Sequence, residues 1–188
     1  MIDIDTSSLE KAQELLEKIP GAAEKAAGSA IRLSIRGAKA DAAKEVASHY
    51  HITQRDVKKT VETRVSGMAA RLTSKGSVTA LSKFKTRPKD PAGQLSYTMK
   101  QKYIHASVMK GQGGTIAHAF VARMGSGHTG VFQRLRKSSL PVRELFGPSI
   151  PQAMTRPEVA SLIMRGIENR LAKNVDHEVN AFLMGYRR

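Results

Sequence analysis

The amino-acid sequence predicts an α+β fold with N-terminal helices, a central antiparallel β-sheet and a long C-terminal helix. Apolar residues recur at helical spacing near both ends of the chain, and helix-capping patterns precede them. Between about residues 61 and 135, apolar residues alternate with polar ones, which is typical of strands. Glycine-rich stretches at residues 111–114 and 125–127 interrupt this region and indicate hairpin turns, because glycine tolerates a positive φ.

Three helices are predicted before the strands. Ser7 and Glu10 form a capping box at the start of the first helix. Its apolar residues recur at helical spacing: Leu9, Ala12, Leu15, Leu16 and Ile19. The second helix spans about residues 22–49 and is rich in alanine, whose small side chain lets another element approach closely. Thr53 and Asp56 repeat the capping pattern for a short third helix.

The middle of the chain is predicted to form antiparallel strands joined by short turns. The alternating segments are residues 61–65, 69–74, 95–100, 102–109, 115–123 and 128–135. Residues 83–91 contain two prolines and four cations, and this composition predicts an exposed loop. Residues 140–151 contain three prolines and a glycine, so we expect a stiff, irregular connector.

The C-terminal helix has the clearest pattern in the sequence. Thr155 is the predicted N-cap, Pro157 fits the first turn, and Glu158 closes the capping box. One apolar stripe follows: Val159, Leu162, Ile163, Ile167, Leu171, Val175, Val179, Phe182 and Leu183. We therefore expect residues 1–188 to form one α+β domain. Its predicted parts are a helical part (1–59), a basic β-sheet part (60–136), a Pro-rich connector (137–156) and the C-terminal helix (157–185).

The composition excludes several classes of chemistry. The 188 residues are enough for one core, but the chain has no cysteine, which rules out disulfides, thiolate catalysis and cysteine-based zinc sites. The N-terminal residues lack the basic and apolar regions of a signal peptide, and no stretch approaches the ~18 apolar residues of a membrane span. We expect synthesis in a host cytoplasm and no membrane partner.

The positive charge is concentrated in one part of the sequence. The formal net charge is +15, and residues 67–143 contain 14 Lys+Arg against a single acid, Asp90. Such a localised field attracts a polyanion or an acidic protein surface.

The sequence contains no convincing catalytic or cofactor-binding motif. Residues 125–130 match the dinucleotide-binding pattern, but a strand rather than a helix is predicted after them, so a glycine-rich turn is the better interpretation. His118 and His128 lie at places where they could face each other across a hairpin, but carboxylates to complete a metal site are lacking nearby. Convergent acids for hydrolysis are also missing from this segment. We expect no enzymatic activity, metal or cofactor.

The cations of the middle region admit three interpretations, which are docking to an acidic protein, contact with a nucleic-acid backbone, and a solvated face that supports solubility. Docking to protein is favoured, because aromatic residues do not alternate with the cations as they do in RNA-binding sheets. The candidate docking residues are Arg71, Lys83, Lys85, Arg87, Lys89, Arg134, Arg136, Lys137 and Arg143.

The sequence resembles the minor tail protein Z family of phages and prophages. The most specific stretches are GHTGVFQR at residues 127–134 and LPVRELFGPSIPQ at residues 140–152. LSKFK at residues 81–85 and YHIT at residues 50–53 are similar to family segments, as is the opening of a leucine helix, Pro-Gly and an alanine-rich helix. The resemblance spans most of the chain.

This resemblance implies a structural virion protein that completes the head-proximal end, or neck, of a long phage tail. It implies an oligomeric ring, with six-fold symmetry as the expectation, that assists head–tail joining and DNA passage. The implied partners are the tail terminator, tail tube proteins and the head–tail connector, with the end of the packaged DNA as a further contact. The alternative is a sequence-independent nucleic-acid-binding protein.

The Pro-rich connector has two open interpretations. It forms either a rigid surface that repeats around a ring axis or a buried link between the sheet and the last helix. Its candidate structural residues are Pro141, Glu144, Gly147, Pro148 and Pro151. If Arg143 and Glu144 are exposed, they could pair between neighbouring copies.

Overall fold

The computed structural model describes residues 7–16, 21–89, 103–136, 138 and 140–186. Five helices and ten strands lie within these residues, and all paired strands are antiparallel. The predicted α+β fold class is confirmed. The helices are α1 (Ser7–Leu16), α2 (Ala22–His49), α3 (Gln54–Thr60), α4 (Ile150–Met154) and α5 (Pro157–Leu183).

The strands in the described residues form four small sheets rather than one large sheet. Their orders are β1-β2, β10-β3, β4-β5-β6 and β7-β8-β9. The strands are β1 (Val61–Ser66), β2 (Ala69–Ser74), β3 (Thr79–Ala80), β4 (Lys85–Arg87), β5 (Tyr103–Ser107), β6 (Gly114–Ala117), β7 (Ala119–Arg123), β8 (Thr129–Arg134), β9 (Val142–Glu144) and β10 (Phe146–Gly147).

The chain divides into two compact units, each assembled from separated segments of sequence. Unit 1 contains Met1–Glu45, Lys58–Lys75 and Met154–Arg188. Unit 2 contains Val46–Val57 and Gly76–Ala153.

Unit 1 is built around helices α1, α2 and α5. Small side chains at Ala22, Ala26 and Ala30 lie in one buried cluster with larger apolar residues of α5. The α5 members of the cluster are Leu171, Val175, Val179 and Phe182. The predicted stripe on α1 is confirmed at Ala12 and Leu16, which are buried, whereas Leu15 is 61% exposed. Ile19 lies outside the described residues.

Two polar contacts fix the register of α2 and α5 inside unit 1. The Ser34 hydroxyl donates to the carbonyl oxygen of Ala30 at 2.6 Å and accepts from the Asn174 amide at 2.9 Å. Arg170 donates through Nε and Nη2 to the two carboxylate oxygens of Asp41, each at 2.8 Å. Ser34 precedes Asp41 along α2, whereas its partner Asn174 follows Arg170 along α5, so the two helices are antiparallel.

Unit 2 joins three sheets to the chain that follows α2. The backbone N–H of His51 donates to Val108 at 2.9 Å, and that of Lys110 donates to His49 at 2.8 Å. The backbone N–H of Leu145 donates to Val131, and its carbonyl oxygen accepts from Leu81, so this residue ties β8 to the short 3-10 turn at Leu81–Lys83. Ile104 and Val131 are completely buried.

The structure corrects four local predictions. The predicted strand at 115–123 is two strands, because His118 adopts a positive φ of 58° between β6 and β7. The predicted loop at 83–91 contains strand β4, which pairs with β5. Parts of the predicted irregular connector are strands β9 and β10. The N-cap of α5 is Arg156, one residue after the predicted Thr155, and it makes no side-chain cap hydrogen bond.

Other predictions are confirmed or lie outside the described residues. Thr53 caps α3, since its Oγ1 accepts from the backbone N–H of Asp56 at 3.2 Å and donates to that carboxylate at 2.6 Å. The predicted strand at 95–100 and the side chain of Ser7, with its half of the first capping box, lie outside the described residues.

Candidate docking surface

A row of cations runs along the segment from Lys83 to Lys89 in unit 2. The four cations Lys83, Lys85, Arg87 and Lys89 are exposed, and Phe84, Thr86 and Pro88 between them are buried. In β4 the backbone is extended and successive side chains point to opposite faces, which places Lys85 and Arg87 outward and Thr86 inward, while Lys83 lies at the end of the preceding 3-10 turn. We call these four side chains the cation row; the buried alternate residues anchor the segment that carries it.

The sheet β4-β5-β6 extends the exposed side of the cation row. Arg87 lies opposite His105 on β5, and Tyr103, two residues away, is also exposed. The strands of this sheet contain no Asp or Glu. The inward side is apolar, with Ile104 and Ala106 buried.

The imidazole of His51 is affected by two cations of unit 2. Its pKa is lowered from the usual 6.5, first by desolvation and then by repulsion from Lys85 and Lys110. Lys110 therefore lies close enough to His51 to act on its pKa together with Lys85, which belongs to the cation row.

The cations of the β7-β8-β9 sheet lie on two different faces. The Arg134 guanidinium lies 4.5 Å from the centre of the Phe120 ring, in a cation–π contact. Arg143 lies opposite Gln133 and donates to its side-chain oxygen at 2.8 Å. Because Arg134 and Gln133 are consecutive, Arg134 and Arg143 point to opposite faces. Arg136 is exposed just beyond β8.

The two remaining predicted docking residues are Arg71 and Lys137. Arg71 is exposed on β2 of unit 1, directly opposite Arg64 in the β1-β2 hairpin. Lys137 lies outside the described residues.

The candidate residues of the connector are partly covered. Pro141 is exposed, while Pro148, Pro151 and Gly147 are half-buried. A Cβ at Gly147 would lie only 2.6 Å from a ring carbon of Phe84, so glycine allows the Phe84 ring to pack directly on β10.

The carboxylate of Glu144 contacts a histidine of the same chain. His128 Nε2 lies 2.7 Å from Glu144 Oε1, and a Cβ at Gly130 would lie 2.8 Å from the same oxygen. This contact gives Glu144 a partner one residue before β8, and Glu144 is only partly exposed, whereas pairing between copies was expected on the condition that it is exposed. His118 lies at the other end of the hairpin from His128, since β7 and β8 pair Arg123 with Thr129, so the two histidines do not face each other.

The charges of unit 2 are strongly unbalanced. Its segments contain 13 Lys+Arg against three Asp+Glu, a net of +10. Of the three acids, Asp56 accepts from Thr53 and Glu144 contacts His128, while Asp90 lies outside the described residues. Ion pairing within unit 2 can therefore neutralise only a few of its cations.

Two exposed apolar residues beside the cation row were missed by the sequence analysis. Val78 is 53% exposed and Phe146 is 51% exposed. Val78 and Phe146 are far apart in sequence, and the pairing of β10 with β3 brings their backbones close together. The pattern of apolar residues in the sequence does not predict that pairing.

The described residues contain no group of three or more His, Cys, Asp or Glu side chains placed to hold a metal ion. None of the helices in the same residues combines the length and apolar character needed to cross a membrane.

Comparison with protein families identifies a family that covers nearly the whole chain. The family model described as Prophage minor tail protein Z (GPZ) matches residues 7–187, nearly the whole chain. No curated protein and no solved structure gives a significant match.

Proposed function

The chain belongs to the prophage minor tail protein Z family, and we propose from this premise that it is a tail completion protein at the head-proximal end of a phage tail. As a minor tail protein it is a structural component of the virion. The single observation that carries the proposal is the match over residues 7–187, which leaves little of the chain for a separate activity.

The proposed mechanism is docking without turnover. The sequence segments of unit 2 have a formal net charge of +10, and the cations of the row face solvent. Such a surface suits neighbours of opposite charge, for which we propose the tail terminator, the tail tube and the head–tail connector. In this role the protein helps the tail to join the head and the DNA to pass, and the end of the packaged DNA is a further proposed contact.

We propose that the protein acts as a ring, with six-fold symmetry as the simplest match to the neighbouring parts of a tail. Each copy has a net charge of +15, so isolated copies repel one another. A ring that forms only on a counter-charged tail subunit is consistent with this repulsion. Light scattering after size-exclusion chromatography, alone and with the tail terminator of the same prophage, tests this assembly.

The decisive experiment deletes the gene from an inducible prophage and examines the lysate by electron microscopy. We expect filled heads and full-length tails that remain separate, and joined infectious particles after the gene is supplied from a plasmid. Joined, infectious particles in its absence would contradict the proposed function. Strong, salt-sensitive binding to bare DNA by a chain that ignores every tail subunit would favour a nucleic-acid-binding role instead.

A further inference from the structure

An apolar spot lies at the start of the cation row. Phe146 on β10 is directly opposite Ala80 on β3. Thr79 is only 8% exposed, so its side chain points inward and its neighbours Val78 and Ala80 point outward. Val78 therefore lies diagonally across the strand pair from Phe146, a separation that aromatic side chains bridge. Both side chains are more than half exposed.

The segment that carries the first cations of the row is linked to the strand that carries Phe146 by two contacts within unit 2. Phe84 stands between Lys83 and Lys85, and its ring packs on Gly147, the residue after Phe146. The backbone N–H of Leu81 donates to Leu145 at 2.9 Å, which fixes the turn before Lys83 to the residue before Phe146. These contacts hold the backbone at Lys83 and Lys85 close to β10, the strand that carries Phe146.

This composition indicates the chemistry of the occupant. Protein–protein interfaces combine apolar contacts with polar and charged residues, and the apolar spot and the cation row supply one of each. A phosphate backbone needs the cations but gives nothing to an aliphatic side chain such as Val78. A second copy is disfavoured, because each copy brings a further +15.

We infer that Val78, Phe146 and the cation row are the docking site for an acidic surface of another tail subunit, one that presents an apolar side chain between carboxylates. This inference deepens the proposed function and rests on it. Phe146 supplies the contact that excludes water, and the cation row supplies orientation and fast encounter.

The test measures binding of the purified full-length chain to each recombinant tail subunit of the same prophage, with a short DNA duplex as a separate probe. We expect at least one tail subunit to bind. Phe146→Ser and the double variant Lys85→Glu/Arg87→Glu should each weaken that binding by about tenfold or more, as expected for an interface centre.

Matched controls alter exposed residues of unit 1. Leu15→Ser removes an apolar side chain that is 61% exposed, and Arg165→Glu/Lys173→Glu reverses two exposed cations of α5. We expect both controls to bind within about twofold of the parent chain. An unchanged thermal unfolding midpoint for Phe146→Ser ensures that a loss of binding reflects the surface and not the fold.

Two results would overturn the inference. One is wild-type affinity for tail subunits in Phe146→Ser. The other is binding to no tail subunit at all, with or without binding of the duplex. Supplying Phe146→Ser in the gene-deletion experiment separates the two proposals. If the gene is required but this variant joins heads to tails normally, the docking site is wrong and the tail completion role stands.

Discussion

Arg170 lies against α2 at a position where only glycine leaves it room. A Cβ at Gly37 would lie 2.4 Å from Nε and Cζ of Arg170, the side chain that binds Asp41. Gly166 on α5 has no atom within 4 Å of its Cβ position. Two helical glycines of unit 1 therefore meet opposite surroundings.

This contrast predicts different effects of alanine at the two positions. Gly166→Ala should raise the free energy of unfolding by about 0.5–1 kcal/mol, because alanine is the better helix former. Gly37→Ala gains the same propensity but displaces Arg170 from Asp41, so its free energy of unfolding should stay below that of Gly166→Ala. Urea denaturation of both variants measures the difference. Equal stabilisation would mean that the Arg170–Asp41 pair contributes nothing.

His51 gives a pH-dependent prediction. Its folded pKa is lowered by desolvation and by Lys85 and Lys110, while the unfolded chain keeps a value of about 6.5. Between the two values the unfolded state binds more protons, so stability falls as the pH falls from 6.5 towards the folded pKa. NMR titration of the imidazole should give a pKa below 6.5 at low salt, and Lys85→Gln should raise it. A value at or above 6.5 would rule out the repulsion.

At the scale of elements, buried residues that stabilise the fold alternate with exposed cations along residues 83–89. Phe84 is 4% exposed, and its replacement by alanine should lower the free energy of unfolding by about 3–5 kcal/mol. Replacing all four cations of the row by glutamine should leave the thermal unfolding midpoint no lower than in the parent chain, because their side chains face solvent. Differential scanning fluorimetry of the two variants checks this. A large loss of stability in the glutamine variant would show that the cations make contacts needed for folding.

The same element shows what the sequence could and could not predict. Four of the five described helices match the sequence prediction, because caps such as Thr53 and long apolar stripes act locally along the chain, whereas α4 lies in the segment predicted as an irregular connector. The sequence predicts a loop where β4 forms, because the two prolines and four cations in residues 83–91 hide its alternation. The exposure of Phe146 and Val78 depends on the pairing of β10 with β3, and residue type alone does not specify that register.

At the scale of the whole molecule, the single-domain organisation stays a prediction. Unit 1 takes three segments of the chain and unit 2 takes two, so no single cut in the sequence separates them. We expect one calorimetric unfolding transition with equal calorimetric and van't Hoff enthalpies. Val175→Ala in unit 1 and Phe84→Ala in unit 2 should both shift that same transition. Two transitions, each moved by one variant only, would mean two independently folding domains.

The alternation in the cation row also has a consequence for evolution. Positions 83, 85, 87 and 89 face solvent, so mutations there change the charge presented to a neighbour at little cost to folding. Positions 84, 86 and 88 are buried and constrained by packing. Single substitutions at the four exposed positions would adapt the surface charge to a changed partner, while the buried residues that anchor the segment stay the same.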